Sequence, residues 1–111
     1  MASLERFNEL LCMSIDDAIA QLLGPQLLES LYHHLNSHYS VTRDELPYRL
    51  QTMCAVLKIE FGFKGARTIE RQIAKNFCKR MNAVFLDTPD CTLDMYLEGV
   101  KKKNLCYSFE S

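Results

Sequence analysis

Three abrupt joints constrain this chain more than any other feature. Gly24-Pro25, Glu45-Leu46-Pro47 and Gly62-Phe63-Lys64-Gly65 interrupt a sequence whose apolar residues otherwise recur at helical spacing. Glycine reaches backbone angles that end a helix, and proline opens the next one, because its missing N–H has no partner in a first helical turn. The spacing between joints predicts an all-α bundle of five or six short helices, with residues 1–111 forming one domain. A chain of 111 residues is long enough for one core, since folding at this size hides roughly two-thirds of the extended surface. With 48% hydrophobic and 24% charged residues, the composition excludes a disordered chain.

The apolar stripes define the expected helix faces. Ser3 is placed to cap a first helix through Leu4, Phe7, Leu10 and Leu11, with Glu5 and Glu9 toward solvent. Ser14-Ile15-Asp16-Asp17 resembles a second cap, so the segment reads either as one kinked helix or as two, and Ile15, Ile19, Leu22 and Leu23 continue the stripe. After Pro25, the residues Leu27, Leu28, Leu31, Leu35 and Tyr39 are expected to be buried. Thr42-x-x-Glu45 is a capping box, predicting a turn at Arg43–Leu46 and a helix from Pro47 whose ridge is Leu50, Met53, Leu57 and Phe61. The glycine pair then predicts a tight reversal into a helix over about Gly65–Met81, with Ala66, Ile69, Ile73, Phe77 and Met81 inward. A last helix is expected from Thr88-Pro89 through Leu93, Leu97 and Val100 to Lys101-Lys102-Lys103, followed by a tail whose residues Leu105–Phe109 alternate apolar and polar.

Charge is lopsided although the net value is −1. Residues 1–46 hold seven acids and two bases, whereas residues 47–111 hold eleven bases and seven acids. Within the basic half, Arg67, Arg71, Lys75 and Lys79 recur every fourth residue, with Lys64 extending the row, Arg80 widening it and Glu70 placed to neutralise it locally. Each step turns the direction by about 40°, so the row winds through about 120° over about 18 Å of helix axis. The preceding helix, the glycine reversal and this basic helix share the outline of a helix-turn-helix, and Gln72 and Asn76 lie beside the row. A solvated helix face is the commoner origin of such a charge run.

Catalytic and metal-binding patterns are weak by comparison. His34 and His38 stand four residues apart with His33 adjacent, but no H-e-x-x-H pattern is present and a metal site needs three or four ligands. Cys12, Cys54, Cys78, Cys91 and Cys106 are odd in number and scattered, which predicts reduced thiols, with Cys54 and Cys78 on apolar helix faces and Cys106 reachable in the tail. No local signature pairs a thiol with a histidine, and the Gly62–Gly65 segment lacks the following Lys-Ser or Lys-Thr of a phosphate loop. Tyr32 and Tyr39 at helical spacing read as core-edge aromatics. No apolar run approaches the roughly 20 residues that cross a bilayer. The start Met1-Ala2-Ser3-Leu4-Glu5 lacks an export pattern, so a cytoplasmic location without membrane attachment is expected.

A family resemblance runs through these residues. Gly24, Leu31-Tyr32-His33-His34-Leu35, Asp44-Glu45-Leu46-Pro47, Phe61-Gly62 and Gly65-Ala66-Arg67-x-Ile69-Glu70 together resemble the Nitrosopumilus output domain over about residues 18–81. That resemblance implies a compact helical module that relays or regulates rather than catalyses, and residues from Ala83 onward lie outside it.

The expectation is thus a regulatory or signal-output module, not an enzyme, with no cofactor or metal and with a protein as its partner. Nucleic acid is the alternative partner. For either, the candidate binding residues are Lys64, Arg67, Arg71, Lys75, Lys79 and Arg80. Oligomeric state is left open.

Overall fold

The computed structural model describes residues 4–85 and 92–100. Four elements come first in the chain: α1 (Leu4–Leu23), α2 (Pro25–Tyr39), a 3-10 helix (Arg43–Tyr48) and α3 (Leu50–Arg80). A further helix, α4, covers 93–100, and no strand occurs among the described residues. The all-α bundle expected from the apolar spacing is the fold observed. The Ser3 cap, the Thr88-Pro89 start and Lys101–Lys103 end of the last helix, the tail, Cys91 and Cys106 lie outside the described residues.

α1 is the centre of the bundle, with its most extensive contacts to α3 and then α2. Leu11, Ile15 and Ile19 are fully buried on it, facing Leu31 and Leu35 of α2, Met53, Leu57, Ile73 and Phe77 of α3, and Leu93 of α4. Fully burying side chains of this size contributes about 1.5 to 3 kcal/mol each before entropy is counted. The Phe77 ring meets Phe7 edge to face at 4.9 Å, so α1 and the second half of α3 share an aromatic contact.

α1 is one uninterrupted helix, and Ser14 is not a cap. Its hydroxyl donates to the Leu10 carbonyl four residues back at 2.8 Å, because the helix before it never stops and leaves no free N–H to cap. Asp16 instead accepts two bonds from Arg43, from Nε at 3.0 Å and Nη2 at 2.6 Å, and also accepts from the Tyr32 hydroxyl. One carboxylate therefore ties α1 to α2 and to the 3-10 helix. Burial, reinforced by the bond to Asp16, pushes the Tyr32 phenol well above its usual range.

Two stripe residues on α2 and one on α1 were expected inside and are not. Leu22 is 42% exposed, Leu27 47% and Tyr39 37%, because each sits at the edge of its apolar arc and only about 100° of a helix faces a neighbour. α2 ends with Ser40 in the left-handed conformation, bonds Ser40 N–H to Asn36 O and Val41 N–H to Leu35 O, each 3.2 Å, and the buried Val41. The bond from the left-handed Ser40 is that of an αL cap, followed by the apolar Val41, and no stripe announces Val41.

The Thr42–Glu45 box is present: Glu45 Oε1 accepts from Thr42 N–H at 3.0 Å and Thr42 Oγ1 at 2.9 Å. The turn it opens is longer than expected. Pro47 falls inside the 3-10 helix, Arg49 departs from helical angles, and α3 starts at Leu50 rather than Pro47. The buried Leu46 anchors this turn to the core.

α3 is two helices joined at one residue. Gly62 adopts φ 76°, ψ 172°, a region open almost only to glycine. Cys54 and Glu70 stand eight residues on either side of it, yet the Glu70 carboxylate lies near enough to the Cys54 thiol to raise its pKa. On a straight helix they would be about 24 Å apart, so the chain folds back at Gly62. A Cβ on Gly65 would lie 2.9 Å from the Phe61 Cβ, showing how tightly the arms meet. The predicted reversal is correct, but its positive φ belongs to Gly62 and the close approach to Gly65.

Candidate functional site

The second arm of α3 turns Ala66, Ile69, Ile73, Ala74, Phe77 and Cys78 inward. Helical geometry then forces the residues one half-turn away toward solvent. Lys64, Arg71, Lys75 and Lys79 are exposed and Arg67 is half-buried, so five of the six candidate cations form one slanting face. Arg80 departs from it. Its guanidinium bonds the Asp17 carboxylate on α1 and reaches Ser14 Oγ at 3.4 Å, which makes it a tie within the fold instead of a widening of the row.

Three polar neighbours of the row are also committed elsewhere. Gln72 Nε2 donates to Asn76 Oδ1 at 3.0 Å, and Asn76 Nδ2 donates to the Ser14 carbonyl at 3.5 Å. These two amides bridge α3 to α1 and do not project beside the cations as base-reading groups would. Glu70, expected to soften the charge locally, is 5% exposed and accepts the Leu93 N–H at 3.3 Å. It caps the start of α4. Glu70, one position before Arg71, therefore points into the bundle and not along the row.

At the reversal, the row meets an apolar end that the helical stripes did not single out. Phe63 is 62% exposed and Ile59 71% exposed. Arg67 lies over the Phe63 ring at 5.3 Å and Lys58 at 5.9 Å, so cations frame the ring on both arms. The signal was available: Ile59 falls opposite the Met53–Leu57–Phe61 ridge, where an apolar residue has no core to face.

Two concave regions lie elsewhere. A half-open groove of about 580 Å³ runs between the first turns of α1, the start of α3 and α4, with Phe7, Leu11, Leu50 and Leu97 on its walls. Asn8 Nδ2 donates to the Tyr48 hydroxyl at 2.8 Å beside it. The other, about 230 Å³, lies between α2 and α3 and is lined by Leu27, Leu31, His34, Glu60 and Phe61. There His34 Nε2 stands 3.6 Å from Glu60 Oε1 and its ring stacks on His38 at 4.3 Å. Among the described residues, no group of three His, Cys, Asp or Glu side chains is placed to hold a metal ion.

No family model matches the chain, and comparison with curated proteins and with solved structures gives no match.

Among the described residues no thiol is in a disulfide: Cys12 and Cys78 are buried and Cys54 is half-buried. Burial, with Glu70 and Asp94 nearby, pushes the Cys54 thiol up to about 12, and burial also raises Cys12 against the opposing pull of Arg43. Both shifts disfavour the thiolate, the nucleophilic form of cysteine. No helix of the described residues is long and apolar enough to cross a membrane.

Proposed function

We propose that this chain is a non-enzymatic regulatory or signal-output module of the cytoplasm that acts by binding a partner protein through the solvent side of the second arm of α3. The observation that carries this reading is the separation of roles along one helix. Arg80, Glu70, Gln72 and Asn76 turn into contacts within the fold, while the side chains of Lys64, Arg71, Lys75 and Lys79 are solvent-exposed on a single face. Such a face raises the local concentration of an oppositely charged partner and orients it before contact. The disfavoured thiolates support a non-catalytic reading, and the resemblance of residues 18–81 to the Nitrosopumilus output domain supports a regulatory one.

Nucleic acid is the competing partner for the same cations, because four of them repeat at a fixed step. The two readings separate on salt and charge reversal. Wild type and the Arg71→Glu, Lys75→Glu double variant, both confirmed folded, are titrated with generic duplex DNA and single-stranded RNA at low and moderate salt. A protein-binding module shows no binding that falls steeply with salt, whereas phosphate binding loses about one unit of salt slope for each cation removed. In parallel, a partner recovered by crosslinking from Lys75 must re-form a stoichiometric complex from two purified components. Equal complex formation by the double variant overturns the assignment to this face.

A further inference from the structure

The cation row and the exposed Phe63 form one continuous surface, because Arg67, the first member of the four-residue repeat, covers the ring of Phe63. A partner of this surface has to satisfy both parts. We propose that it is an acidic protein segment with an apolar anchor at one end: the anchor packs on Phe63 and Ile59 while successive carboxylates follow Arg67, Arg71, Lys75 and Lys79. This rests on the protein-binding reading above and names the chemistry of the partner.

The spacing fixes what such a segment looks like. Cations four residues apart on a helix rise about 6 Å per step. Acids on every fourth residue of a partner helix repeat at the same distance, and acids on every second residue of an extended strand repeat at about 6.6 Å. The whole row spans about 18 Å, which a partner helix covers in about 13 residues. Its apolar anchor falls one step beyond the acids, at the Gly62 end of the row.

Other occupants use only part of the surface. Nucleic acid satisfies the cations, but phosphates gain nothing from Ile59, and the amides of Gln72 and Asn76 are turned to each other and to Ser14. A lipid surface entered by Phe63 and Ile59 meets the cations nearest the reversal, yet the row then climbs about 18 Å from the tip. That exceeds the Debye length of about 8 Å at physiological salt, so the far lysines contribute little.

The test uses the full chain and labelled probes of defined composition. One is an 18-residue helix-forming peptide with Glu at every fourth position and a Leu-Phe anchor one step beyond; another is identical except that Gln-Ser replaces the anchor. Generic duplex DNA and vesicles of 70% phosphatidylcholine and 30% phosphatidylserine complete the set. The anchored peptide is expected to bind at least tenfold tighter than the anchor-free one. Phe63→Ser should bring the two peptides to equal affinity, and Arg71→Glu, Lys75→Glu should weaken both peptides. Phe63 is exposed, so its variant is expected to keep the helical circular dichroism of the wild type. Equal binding of the two peptides, still lost on charge reversal, overturns the anchor while the protein-binding face survives. Preference for DNA, or vesicle binding lost in Phe63→Ser, overturns both in favour of that partner. Binding to none of the four probes overturns the proposal outright.

Discussion

Arg80 closes the end of α3 onto α1 by donating from its guanidinium to the Asp17 carboxylate. Beside that pair, Ser14 receives Arg80 Nη1 on its hydroxyl at 3.4 Å and Asn76 Nδ2 on its carbonyl at 3.5 Å. A cation that belongs to the basic row by spacing is thus a structural tie by geometry. Because the Asp17 side chain is 49% exposed, solvent screens the pair, and its worth is on the order of 1 kcal/mol.

Arg80→Ala is therefore expected to lower unfolding free energy by about 1 kcal/mol, whereas Lys79→Ala next to it stays within about 0.5 kcal/mol of wild type. Urea denaturation of the two variants decides this. Equal midpoints would return Arg80 to the solvent face.

Burial of the Tyr32 phenol, reinforced by its bond to the Asp16 carboxylate, predicts a pH dependence at the alkaline end. A phenol whose proton is held more tightly in the folded state adds stability that is complete below the unfolded value, near pH 10, and is lost as pH rises beyond it. Tyr32→Phe should cost about 1.5 kcal/mol at pH 7 and should flatten the fall in stability above about pH 10. Urea midpoints from pH 8 to 11 for both proteins test the sign; parallel curves would mean that Tyr32 does not carry the effect.

At the reversal, Gly62→Ala and Gly65→Ala are expected to destabilise by different mechanisms. The first forces alanine into φ 76°, and the second drives a methyl to within 2.9 Å of the Phe61 Cβ; each should cost about 1 to 3 kcal/mol. Gly99, with open space around its Cβ position inside α4, is the control. Gly99→Ala should be neutral or stabilising by about 0.5 to 1 kcal/mol. Thermal midpoints ranked otherwise would place the joint elsewhere.

Cys54 should react slowly. With its thiol held up to about 12, on the order of one thiol in ten thousand is ionised at pH 8. Labelling of Cys54 in the native protein, read by peptide mass, should lag far behind its rate in urea. Glu70→Gln keeps an oxygen for the Leu93 N–H but removes the nearby negative charge, so the native rate should rise severalfold. An unchanged rate in a folded Glu70→Gln protein would leave burial and Asp94 as the cause.

The repeating apolar residues and the three joints were enough to specify an all-α bundle, because the period of 3.6 and the backbone limits of glycine and proline are local properties. Ile15, Ile19, Leu31, Leu35, Met53, Leu57, Ile73 and Phe77 are buried where their spacing puts them. The reversal between Phe61 and Gly65 was legible for the same reason. Half of the candidate face was legible as well: Lys64, Arg71, Lys75 and Lys79 are exposed together because residues on one helix keep their relative directions whatever surrounds them.

Where a side chain meets another element, the sequence has no equivalent rule. Arg80 and Glu70 have the same residue types and helical phases in isolation as they have in the fold, but α1 offers Asp17 to one and α4 offers the Leu93 N–H to the other. Ser14, Asp16 and Asp17 look like a helix start in one dimension, and become clasps only when α2, the 3-10 helix and α3 arrive beside them. Leu27 and Tyr39 lie at the edges of a helical stripe, and it is the placement of neighbouring helices that leaves them exposed. Periodicity and backbone stereochemistry act within a segment, so the sequence by itself determined the helices, their joints and the direction of the cation row. Burial and hydrogen bonding between segments depend on which surfaces meet, so only the tertiary structure decided which charges tie helices together and which face solvent.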